Sequence, residues 1–303
     1  MAEHTYVRHD TTFISEGDRC AAWLYRPDGV QNPPLVVMAH GFAAFRELRL
    51  DAYADRFARA GYAVLVFDYR FWGASDGEPR RILDIKAQQA DWRAAVSYAR
   101  SLDSVDTTRL VAWGSSFGGG HVLHLLAHDH ELAAGIAQVP HVDGPASAFA
   151  QPIGLVSRLF LAGVRDQVGA WFGAEPHRTA AVGRPGELAM MTSPGAMDLV
   201  EQMAADHREK LFTENNVAAR IALRVPFYSP GRYASRITAP TLIQVARYDD
   251  VTPMDKALRV ARRIPRGEAL VYDCSHFEPY LEPHFEKIVS DQIDFLHRHV
   301  GQR

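Results

Sequence analysis

The amino-acid sequence predicts an α/β fold: a mostly parallel central sheet of about eight strands, helices on both faces, and one helical insertion. Three observations carry that expectation. Short unbroken apolar runs, such as Leu35-Val36-Val37-Met38-Ala39 and Ala63-Val64-Leu65-Val66-Phe67, lack alternation and read as strands covered on both faces. Segments with helical apolar spacing lie between these runs. The rhythm breaks at residues 141–237, where a short connection is expected and a long segment with its own helical patterns stands instead.

Residues 5–15 and 19–26 read as an opening hairpin turned at Glu16-Gly17-Asp18. Residues 34–39 give the first central strand. Leu50, Tyr53, Ala54, Phe57 and Ala58 recur at helical spacing, and Gly61 ends that helix. Residues 63–67 are the next strand, and Ile85, Trp92, Val96 and Ala99 mark the helix after it. Strands at 109–113 and 134–139 flank a helix that begins near Gly119. In the insertion, Leu155, Leu159, Phe160, Val164 and Val168 look helical, as do 196–203, opened by Ser193-Pro194-Gly195, and 217–225. The chain closes with a strand at 240–245, a helix at 253–263 opened by Pro253, a strand at 268–272 and a helix at 284–299. Residues 1–140 and 238–303 thus form the core, and 141–237 a helical cap or lid over the top of the sheet. Of its large apolar residues, Phe149, Phe160, Trp171, Phe172, Met190, Met191, Met197 and Met203, most are expected in a cap core. Phe149, Phe160 and Met190 are nominated as substrate contacts, together with Trp72, which would narrow the site mouth.

Composition bounds the reading. Hydrophobic content of 47% and charged content of 23% fit an ordinary soluble globular protein. A net charge of −3 gives no basic face for a nucleic acid, and no apolar run is long enough to span a membrane. The polar start of the chain lacks a signal-peptide core, and two distant cysteines, Cys20 and Cys274, imply no disulfide framework. The expected compartment is therefore the cytoplasm. The four histidines at 121, 124, 128 and 130 lack metal-ligand spacing to acidic or cysteine partners, so neither a metal nor another cofactor is expected. A homo-oligomer is left open.

The chemistry is carried by Gly114-Ser115-Ser116-Phe117-Gly118, between the apolar run Leu110-Val111-Ala112-Trp113 and a helix. Strand, Gly-x-Ser-x-Gly and helix in that order describe a nucleophile elbow, and Ser116 has glycine at both −2 and +2. The remaining groups are expected in the order acid, then His. Asp249 and Asp250 follow the strand at 240–245, and Asp249 is preferred because it lies four residues before Pro253. His276 follows the last strand. His276 would take the Ser116 proton, Asp249 would hold the imidazole, and two backbone N–H groups would stabilise the oxyanion. Those donors are assigned to Phe117, after the nucleophile, and Phe42, after His40-Gly41.

With these residues in place, the chain resembles the serine α/β-hydrolases over roughly 34–140 and 238–300, so the α/β-hydrolase fold is expected. It is similar to a bacterial group labelled Xaa-Pro-peptidase-like or acetylxylan-esterase-like, to which fungal polyketide transferases and thiohydrolases are related. His40-Gly41-Phe42, Leu50-Asp51-Ala52-Tyr53-Ala54, Phe67-Asp68-Tyr69-Arg70, Asp76-Gly77-Glu78-Pro79-Arg80 and the stretch from Trp113 to Leu123 carry the closer match, extended by Gln138-Val139-Pro140 and Asp143-Gly144. Ala246 stands where such hydrolases usually have Gly, and Phe71-Trp72 makes its loop bulkier than usual. The resemblance implies a serine hydrolase acting on a small-molecule acyl substrate, with a carboxylic ester first. A thioesterase or acyltransferase on a carrier-bound or polyketide-like acyl group is the alternative. A proline-type peptidase or amidase, and a slow-turnover receptor on the same fold, follow.

Overall fold

The computed structural model describes residues 3–301. Strands β1 (Tyr6–Ser15) and β2 (Asp18–Pro27) form an antiparallel hairpin. Its two-residue turn puts Glu16 at φ 47° and Gly17 at φ 96°. Positive φ at both positions matches the right-handed twist of the flanking strands, and glycine adopts it without steric cost. The chain then alternates: β3 (Pro34–Ala39), α1 (Leu50–Arg59), β4 (Ala63–Phe67), α2 (Ile85–Arg100), β5 (Asp106–Ser115), α3 (Phe117–Leu126) and β6 (Ala134–Gln138). Every residue of β3, β4 and β6 is buried, as unbroken apolar runs require. Helix α1 buries Leu50, Tyr53, Ala54, Phe57 and Ala58. Helix α2 is capped by Asp84, whose carboxylate accepts from the Lys86 and Ala87 backbone N–H groups.

From β6 the chain leaves the sheet through α4 (Gly144–Phe149), α5 (Ile153–Trp171), β7 (Arg178–Val182), β8 (Ala189–Met191), α6 (Ala196–Met203), α7 (Arg208–Glu214) and β9 (Asn216–Ala218). It returns with β10 (Thr241–Ala246), α8 (Met254–Ala261), β11 (Gly267–Tyr272) and α9 (His284–Val300). The eight-stranded sheet has the order β1-β2-β4-β3-β5-β6-β10-β11, antiparallel at β1, β2 and β4 and parallel from there on. Strand β11 is an edge, and Leu270 and Val271 are partly exposed rather than covered on both faces.

The segment between β6 and β10 carries helices, as expected of a mainly helical cap, and strands that were not expected. It holds a small sheet in the order β8-β7-β9, and the helix expected at 217–225 is a strand followed by a 3₁₀ turn at Ala219–Leu223. Its large apolar residues also divide differently. Met197 and Met203 are buried, but Phe149, Phe160, Trp171 and Phe172 are exposed. The reason lies in α5, whose inward face is Leu155, Leu159, Ala162 and Gly163. Small residues let it approach the turn closely: a Cβ on Gly163 would sit 3.0 Å from the Ala219 carbonyl oxygen. Asp166 locks this contact by accepting from His177 N, Arg220 N and the Arg220 guanidinium at 2.7–3.0 Å. The aromatic residues of α5, Phe160 and Trp171, are left exposed.

No helix among the described residues is long and apolar enough to cross a membrane.

Candidate active site

Ser116 sits between the last residue of β5 and the first of α3, with φ 54° and ψ −119°. A non-glycine residue held there is strained, so its surroundings must over-determine it. They do: Ser116 N donates to Gln138 O at 2.9 Å, and Ser116 O accepts from His141 N at 2.9 Å and Gly120 N at 3.1 Å. The glycines are required by contact distance. A Cβ on Gly114 would lie 2.4 Å from Gly118 O, and one on Gly118 would lie 2.5 Å from His40 O.

The loop after β10 carries Asp249, whose side chain is 1% exposed, while Asp250 is exposed. Asp249 Oδ1 accepts from Val251 N and Thr252 N, and Oδ2 from the Thr252 hydroxyl. That leaves Oδ2 to accept from His276 Nδ1 at 2.8 Å. His276, in the loop after β11, is itself buried, and its Nε2 lies 3.0 Å from Ser116 Oγ. The carboxylate fixes the tautomer: Nδ1 donates to it, so Nε2 faces the hydroxyl with its lone pair.

Gly41 and Phe42 run beside the elbow, where a Cβ on Gly41 would lie 3.1 Å from Ser116 Cβ. The Phe42 and Phe117 rings meet edge to face at 5.7 Å. Phe117 opens α3, so its N–H belongs to a turn with no acceptor inside the helix. His40, wholly buried, is held neutral, its pKa lowered to about 4 by burial.

Ser116, Phe42 and Phe117 line a cavity of about 170 Å³ whose wall is mostly apolar. Phe160 and Met190 line it as well, with Leu159, Met191 and Val225. Two nominated contacts do not. Trp72 is fully buried and its indole N–H donates to Ile82 O at 2.9 Å, so it packs the core and narrows no mouth. Phe149, at the end of α4, is 86% exposed and is not among the residues that line the cavity. A recess of about 50 Å³ opens from Ser116 on the other side, lined by His276, Phe45, Leu48 and Val200.

Three features escaped the sequence reading. Thr252 holds Asp249, and its spacing of three from that residue was the available signal. His141 and Ser147 bring polar atoms into the cavity. Beneath the elbow, the buried Gln292 amide donates to Gln138 Oε1 and Gln244 Oε1, and Gln138 Nε2 and the Tyr280 hydroxyl both donate to Ser115 Oγ. A glutamine inside each of two apolar strand runs was the signal for that cluster.

Comparison with known proteins places residues 31–283 in a family described as serine aminopeptidase, S33. The chain belongs to this family of α/β-hydrolase enzymes. It is 45% identical over 292 residues to the quorum-quenching protein AidA of Acinetobacter baumannii, covering 96% of this chain and 95% of that one. It is 28% identical to the polyketide transferase ATR5 of Stachybotrys chlorohalonatus, over 96% of this chain and 97% of that one. The crystal structure of the α/β hydrolase GrgF from a Penicillium species superposes with a TM-score of 0.79 at 24% identity, over 98% of this chain and 100% of that one, a likeness of fold.

Proposed function

We propose that this hydrolase cleaves a carboxylic ester through an acyl-enzyme on Ser116. The observation that carries the reading is the hydrogen-bonded series Ser116 Oγ, His276 Nε2, His276 Nδ1 and Asp249 Oδ2, at 3.0 and 2.8 Å, on the floor of an apolar cavity. A serine hydroxyl is a poor nucleophile until a base takes its proton. In this reading His276 Nε2 accepts that proton as Oγ bonds to the ester carbonyl carbon. The N–H groups of Phe42 and Phe117 receive the oxyanion. Collapse breaks the bond to the alcohol oxygen, which leaves with the proton from His276. Water then repeats the sequence on the acyl-enzyme and releases the acid. Asp249 keeps the imidazole oriented and stabilises its cationic form.

The same geometry serves thioesters and amides, so the leaving-group side decides between them. The leaving group must reach His276, and the recess there is small and apolar, which favours a compact alcohol over a long carrier arm. The name of the bacterial relative favours a small signal molecule as substrate. The names of the fungal relatives favour acyl transfer, which the chemistry of an acyl-enzyme also permits. In this reading residues 141–237 act as the cap that builds the acyl side of the cavity, and the substrate is a small molecule met in the cytoplasm without a cofactor.

The test is steady-state turnover of an aryl ester, a thioester and an anilide sharing one short acyl group, with Ser116→Ala as the blank. Ester turnover well above the other two supports the reading. Preference for the thioester, or acylation of Ser116 without release, replaces it with acyl transfer. Ser116→Ala activity above about one per cent of wild type removes Ser116 from the mechanism.

A further inference from the structure

In a cavity with a mostly apolar wall, each polar atom limits what can bind. Besides Ser116, the polar side chains of the wall are His141, Ser147, Gln151 and Thr252, and the first two sit together. The backbone N–H of His141 donates to Ser116 O at 2.9 Å, so this residue stands beside the nucleophile. Its Nε2 is 2.9 Å from Tyr228 O, and a carbonyl can only accept, so Nε2 carries the hydrogen. Burial lowers the His141 pKa to about 4, and the ring takes no second proton at neutral pH. Nδ1 is therefore a bare acceptor, and Ser147 Oγ lies 3.3 Å from it.

A hydroxyl next to a bare acceptor donates its hydrogen there. The Ser147 oxygen then has lone pairs, and no proton, to offer a ligand. The imidazole is not free to turn and reverse this polarity. It stacks on the Tyr228 ring at 5.7 Å and 11°, and the Tyr228 hydroxyl is committed to His121 Nδ1 at 2.8 Å. His121 Nε2 in turn donates to Gln88 Oε1 at 2.9 Å, a third buried link in the chain.

We propose that Ser147, polarised by His141, selects esters whose acyl part carries a hydrogen-bond donor near the reacting carbonyl, a hydroxyl or an amide N–H. This rests on the ester reading above and adds the class of acyl group. A carbonyl at the same place on the chain gains nothing, because the Ser147 proton is already engaged.

The experiment measures kcat/KM for phenyl esters of octanoate, 3-hydroxyoctanoate, 3-oxooctanoate and N-pentanoylglycine, each divided by the ester's own hydroxide-catalysed rate. In the wild-type enzyme the hydroxy and amide esters exceed octanoate about ten-fold, the worth of one well-made hydrogen bond, and the oxo ester does not. The hydroxy and amide arms separate the two donor sources. Ser147→Ala brings the ratios to within about two-fold of one, and Ser147→Thr, which keeps the hydroxyl, retains the preference. Brisk turnover of octanoate with wild-type donor ratios at or below one overturns this inference and leaves the ester reading standing. Absence of turnover on every ester overturns both. The wild-type ratios decide even where a variant fails to fold.

Discussion

Replacing Gln292 with leucine tests the buried amide cluster under the elbow. Gln292 reaches from α9 into the sheet, and it is fully buried, as is Gln138, with Gln244 1% exposed. Its Oε1 accepts from Trp113 Nε1 at 3.0 Å, and its Nε2 donates to Gln138 Oε1 at 2.9 Å and Gln244 Oε1 at 2.6 Å. Leucine is similar in volume and has no polar atom, so one indole N–H and two amide oxygens lose a partner together. An orphaned buried polar group costs about 1–3 kcal/mol, while the added apolar contact returns about 1 kcal/mol. The expected loss is about 4 kcal/mol, or a fall in Tm of about 6 °C for a chain of this size. Urea unfolding with unchanged m isolates the stability change from any change in compactness. A loss below about 1 kcal/mol refutes the reasoning, since it requires that the three groups find other partners or that they were never paired through Gln292. The cluster also reaches Ser115 through Gln138, so kcat should fall with stability.

Three further predictions follow from the site and its buried groups. Asp249→Asn reverses the bond that fixes the His276 tautomer and should lower kcat on the order of 10⁴-fold, whereas Asp250→Asn, at an exposed position, stays within a few-fold of wild type; the opposite ranking in steady-state kinetics moves the acid by one residue. Gly118→Ala forces a methyl to within 2.5 Å of His40 O, displaces the elbow from β3, and should leave a folded protein by circular dichroism with kcat/KM down at least about 100-fold; unchanged activity contradicts the contact. Stability should fall in mild acid. His40 and His141 are buried with pKa near 4, so the unfolded chain binds their protons first as pH drops below about 6.5, and each contributes a loss of about 2 kcal/mol by pH 5. Asp68, whose pKa burial raises to about 6, binds a proton in the folded state first and offsets part of that, while His121 and His124, lowered by the same burial, add to the loss. A melting temperature that is flat or rises over this window contradicts the neutral burial of these histidines.

The parallel core was legible because its signals are local. Strands covered on both faces must be apolar at every position, and helices packed on a sheet must repeat their apolar residues at helical spacing. The elbow was legible for a related reason. Its glycines answer to backbone distances of 2.4–2.5 Å that no side chain can survive, so the constraint is written into residue type. Triad order along the chain pointed to His276 among 14 histidines.

The insertion and the cavity wall were decided by tertiary structure. Hydrophobicity nominated Phe149 and loop bulk nominated Trp72 as substrate contacts, yet one is exposed and the other lies in the core. Which side of α5 turns inward depends on how closely it can approach the Ala219–Leu223 turn, and small residues won that contact over large ones. Likewise, glutamines inside two apolar strand runs mark buried polar positions, but nothing in the sequence pairs Gln138 and Gln244 with Gln292, or sets His141 against Ser147 with its proton on the far nitrogen. The layers, the strained position of Ser116 and the residue types around it were readable from the chain alone, because each follows from backbone geometry or local periodicity. Packing set which of the two adjacent aspartates meets His276, which residues line the cavity and where each buried hydrogen bond runs. These depend on distances between segments far apart in the chain, which only packing fixes.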